Sequence, residues 1–165
     1  MAFRSEEDGY FAGAVRFKDA ILNDGAISDD QVASGADLAA SKLKHAHRAT
    51  YGQAIAAAPT TGAYTIHAVK GATAGVLEFK TCLATAPTGD GSVTVDCLNG
   101  TASLLSAAVT LNSSSTAYTF QAGTVSTSAA TVGDVIVISI TKSTGTAGTC
   151  GSGLMAYADL VEDYD

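Results

Sequence analysis

Between residues 63 and 162 apolar and polar positions alternate in short runs, each closed by Gly, Asp or Asn. Alternation with period two, rich in β-branched residues, is the pattern of half-buried strands. It predicts strands over 63–70 (AYTIHAVK), 74–84 (AGVLEFKTCLA), 92–98 (SVTVDCL) and 102–111 (ASLLSAAVTL). Further runs fall at 116–122 (TAYTFQA), 134–142 (DVIVISITK) and 152–162 (SGLMAYADLVE). Strands of this length without intervening helices build an all-β antiparallel sandwich or barrel. The punctuation agrees: Pro87-Thr88-Gly89-Asp90-Gly91 reads as a turn, and Gly133-Asp134 opens a strand. Asn99-Gly100 is the dipeptide of tight type I′ hairpins. The Gly-, Ser- and Thr-rich stretch 143–153 reads as a long flexible hairpin loop.

The pattern changes upstream. Over residues 1–50 the apolar positions are scattered among charges, and no independent core is visible. Ser28-Asp29-Asp30-Gln31 has the form of a capping box, and 37–45 suits another short helix. Neither reaches the ~12–15 residues that a helix needs to stand alone. The expected organisation is an extended N-terminal arm with short helical turns over 1–50 and a sandwich over 51–165. Apolar side chains on such an arm serve as anchors, folding back on the sandwich or packing on a neighbouring protein. The candidates are Phe3, Tyr10, Phe11, Phe17, Ile21, Leu22, Ile27, Leu38 and Leu43.

Charge sharpens the division. Residues 1–50 hold 6 Lys/Arg and 8 Asp/Glu, against 3 and 8 in the remainder. Over all 165 residues, 47% are apolar and only 15% charged, enough core material for a folded domain. A net charge of -7 argues against nucleic acid, whose phosphates demand clustered Lys and Arg. The start MAFRSEEDGYF lacks the apolar stretch of a signal peptide, and no run approaches the ~20 apolar residues that span a bilayer. The expectation is a soluble protein made in the cytoplasm, without a membrane partner. Cys82, Cys97 and Cys150 have neither zinc-finger spacing nor an even count. They read as buried thiols, with a Cys82–Cys97 bridge as the alternative.

Little points to catalysis. His45 and His47 share one side if their segment is a strand, a spacing that metals use. No further ligands lie nearby in sequence, and Lys44 and Arg48 would repel a cation. His67, between Ile66 and Ala68, reads as a strand residue facing solvent or a subunit contact. No G-x-S-x-G elbow occurs, and the Ser and Thr residues fall where strands and turns need them. The Gly-rich 145–153 lacks the G-K-[ST] ending of a phosphate loop. Asp90, Asp96 and Asp134 match no calcium loop and read as turn and strand positions. The expectation is a non-enzyme with no cofactor and no metal.

Taken in order, several fragments resemble a family of phage and prophage virion proteins: DGAISDDQVASGADLAASKLKHAHRATYGQ, IHAVKGATAGVLEFK, GDGSVTVDCLNGTASLLSAAVTL, TAYTFQAG, VGDVIVISI and GTAGTCGSGLMAYADLVED. The resemblance implies a jelly-roll-like β-sandwich decorating the outer surface of a capsid as a cement protein. It implies a homotrimer whose arm crosses seams of the major capsid protein, and it carries over no catalytic residue. Similar modules occur in tails and fibres, so host-receptor or glycan adhesion is the competing function. A carbohydrate-binding or hydrolytic protein fits less well, because the chain has no Trp. The apolar run 135–140 (VIVISI) is either a strand buried on both faces or a subunit interface formed by Val135, Val137, Ile138 and Ile140.

Overall fold

A computed structural model describes residues 44–127 and 129–163, without the side chains of Lys44 and His45. The expected anchors Phe3, Tyr10, Phe11, Phe17, Ile21, Leu22, Ile27, Leu38 and Leu43 lie outside the described residues.

The described residues form β-strands: β1 (Lys44–Gly52), β2 (Gly62–Ala68), β3 (Thr73–Thr85), β4 (Ser92–Asn99) and β5 (Ala102–Ser103). β6 (Val109–Asn112), β7 (Gln121–Gly123), β8 (Ala129–Thr131), β9 (Val135–Ser143) and β10 (Ser152–Asp163) follow. One sheet runs β1-β10-β3-β7, with β8 also on β3; the other runs β2-β9-β4-β5, with β6 also on β4. Every pairing is antiparallel. The first strand pairs with the last and the second with the last but one, as when one long hairpin is rolled into two layers. That is the jelly-roll arrangement.

Alternation builds the core. From β10, Leu154, Ala156, Ala158 and Leu160 point inward; β4 supplies Val93, Val95 and Cys97, and β9 supplies Ile136, Ile138 and Ile140. Phe79 of β3 is fully buried among them. The inward residues of β3 step from Val76 to Phe79, because a bulge opposite Asp159 and Leu160 inserts Leu77. Leu77, carried outward, is 62% exposed.

Several expectations change. The border at residue 50 is crossed by β1, whose nine residues pair with β10 from Lys44↔Asp163 to Gly52↔Met155. The sandwich therefore includes residues that were read as arm. The predicted strand 102–111 breaks into β5 and β6, because Leu104 and Leu105 turn into the core between them. Most of 116–122 is a loop, with Tyr118 at φ +57° and its amide donating to the Leu83 carbonyl. The hairpin after β4 has two loop residues, but only Gly100 has positive φ, the signature of type II′ rather than I′. β9 lies between β2 and β4, so Ile138 and Ile140 fill the core of a single chain. Val137, on the other face, is 8% exposed; of the four candidate interface residues, half-buried Val135 keeps the most surface. Ile138 and Ile140 thus have no surface to offer a second subunit, while Val135 and Val137 lie on the outer face of the strand. Cys82, Cys97 and Cys150 are all buried free thiols.

Candidate functional site

The edge strands of the two sheets, β1 and β2, meet near the C-terminal end of β10, and three titratable side chains converge there. His47 pairs with Leu160 across the ladder, and directly opposed residues share a face, so its ring points inward. Glu162, one inward step beyond Leu160, is fully buried. His67 comes from the other sheet. Plain alternation would turn it outward, but a β-bulge between Thr65 and His67 sets it opposite Ile136, whose side chain is in the core. Re-aiming a side chain is a recurrent use of bulges.

His67 Nε2 hydrogen-bonds Glu162 Oε1 directly, and His47 Nε2 lies 3.9 Å from the same oxygen. The imidazole rings stand 4.5 Å apart, tilted by 52°. The other carboxylate oxygen, Oε2, accepts the backbone amides of Lys70 at 3.3 Å and Gly71 at 3.0 Å. Position 71 must be glycine for this approach: a Cβ there would stand 2.6 Å from the Asp163 carbonyl oxygen. His47 Nε2 is shut off from solvent yet makes no hydrogen bond, which is uncommon for a buried polar atom. The rest of its side chain is one-third exposed and lines a shallow surface depression with Ala46, Arg48, Leu77, Asp159 and Leu160.

Two nitrogens and a carboxylate within 4.8 Å of one another are donors suited to a first-row transition ion. The ligands that join His47 are distant in sequence, and His67, expected to face solvent or a subunit contact, points inward instead. Glu162 gave no signal in the sequence beyond its inward step in β10. Arg48 is not the repelling neighbour it seemed: it occupies the opposite face of β1, bidentate to Asp159 at 2.6 and 2.8 Å and stacked 3.8 Å over the Tyr157 ring. For His45 the backbone register alone is described, and it sets the residue opposite Glu162.

The other candidates stay apart. Asp90 accepts the Thr146 amide at 2.7 Å, the Thr146 hydroxyl at 2.9 Å and the Ala147 amide at 3.0 Å. These bonds hold its pKa down to about 2. They also tie the loop expected to be flexible to the 87–91 turn, where Thr88 and Thr149 form an isolated bridge. Asp96 accepts from the Ser103 hydroxyl, and Asp134 from Asn99 and Thr131. These carboxylates assemble no ligand group among the described residues. Burial pushes the Cys97 thiol up to about 12, the range of an inert core residue. Compared with protein-family models, curated proteins and solved structures, the chain finds no match in any of the three.

Proposed function

We propose that this chain is a non-enzymatic structural protein of a virus particle, a decoration protein that stabilises the assembled shell. In this reading residues 1–43 bind across seams of the major capsid protein, and the jelly roll stands on the outer surface as a homotrimer made in the host cytoplasm. The observation that carries it is the passage of the N-terminal segment into an edge strand. β1 is stitched to β10 along its whole length, so Lys44, where the preceding segment joins, is anchored in the folded body. Jelly rolls recur in capsids, but also in lectins and cupins, so the fold supports the reading without deciding it. The ordered fragments resembling phage virion proteins add to that support.

A ligand that binds the assembled shell and not its free subunits adds free energy to the assembled state alone. Three linked copies multiply the gain, because later contacts form at high effective concentration. The test is the ratio of this chain to the major capsid protein in purified particles, by quantitative mass spectrometry. A ratio near one to one is expected. A few copies per particle would overturn it in favour of a tail or fibre adhesin. One observation favours that second reading: Asp90 pre-organises the exposed loop 144–149, and a pre-organised loop loses less entropy on binding a glycan.

A further inference from the structure

We infer that His47, His67 and Glu162 form a zinc site that clips the two sheets together at the β1–β2 edge. Four features of the group point to an ion. Both imidazoles direct Nε2 at one carboxylate oxygen, and the three donor atoms lie within 4.8 Å. His47 Nε2 is buried and without a hydrogen bond, a position that a cation fills. The Lys70 and Gly71 amides fix Glu162 through its second oxygen, the outer-shell support that orients a metal-binding carboxylate. Finally, the ligands arrive from strands of both sheets, one of them through a bulge.

Donor chemistry selects the ion. Calcium and magnesium take oxygen ligands, whereas two imidazoles and one carboxylate suit zinc at about 2.0–2.2 Å. On binding, the direct His67–Glu162 hydrogen bond is replaced by one bond from each residue to the ion. These three ligands from among the described residues leave a fourth tetrahedral position for water or a further side chain. The ion then holds β1, β2 and β10 at one point, a cross-link between the two sheets beyond their apolar packing and the Glu162–amide bonds.

The test uses the full chain without an affinity tag, stripped of metal by chelation and titrated with Zn²⁺ by calorimetry. One ion per chain is expected, with a Tm rise of about 5 °C or more at saturating zinc. Mg²⁺ and Ca²⁺ are expected to do neither. Cobalt(II) in the same site should give the intense visible bands of four-coordination, and the weak bands of an octahedral ion would refute the geometry. His47→Ala is the deciding variant, because it removes no hydrogen bond of Nε2, and its metal-free Tm is measured alongside so that lost folding is told apart from lost zinc. It should weaken zinc at least about 100-fold, as should His67→Ala. Absence of stoichiometric zinc binding would overturn the inference, as would binding that survives His47→Ala undiminished.

Discussion

The Asp90 carboxylate receives three donors from Thr146 and Ala147, which stabilise its charged form and depress its pKa from 3.8 to about 2. A depressed carboxylate contributes stability that is present above the unfolded pKa and lost as pH falls through the folded one. The clasp should therefore loosen between about pH 4 and pH 2, seen as a fall in the protection of the Thr146 and Ala147 amides relative to their intrinsic exchange. Asp90→Asn should bring that loss of protection on at neutral pH and abolish its acid dependence. Cys82, Cys97 and Cys150 give a second prediction at this scale: none should react with iodoacetamide until the protein unfolds, because all are buried. Turn chemistry made Asp90 legible as a turn former, but its partners lie more than 50 residues away and no local pattern announces them. His67 was misread for a different reason. The alternation rule is sound, and one inserted residue in β2 inverts it.

Among elements, the readable strands were β2, β3, β4, β9 and β10, which fall within a residue or two of their expected limits. β1 was not, because its inward positions include His47 and the small Ala49, while Ala46 sits outward; the two faces barely differ in polarity. β8 offers only Ala-Ala-Thr. Burial of the inward face of β9 carries its own prediction. Ile138→Ala should cost about 2–5 kcal/mol by denaturant unfolding, the usual range for truncating a core isoleucine. It should leave the oligomeric state untouched, and dissociation of an otherwise folded oligomer would put Ile138 at a subunit contact instead.

For the whole molecule, the division between segment and body becomes a statement about truncation. Removing residues 1–43 should leave cooperative melting intact and, on the proposed function, weaken attachment to the capsid. Removing 1–50 deletes most of β1 and takes His47 with it, so melting should broaden or fall sharply. The two-layer architecture could be read from the strand run and its turns, since alternation and punctuation are local properties. The strand order could not, because it is fixed by which distant edges meet. That order has a consequence for biosynthesis. β1 is among the first described strands to leave the ribosome, and its partner β10 is the last. The sheet that contains them cannot close until β10 has been made, so nascent chains carry an unpaired β1 up to that point, and folding of that layer waits for Asp163.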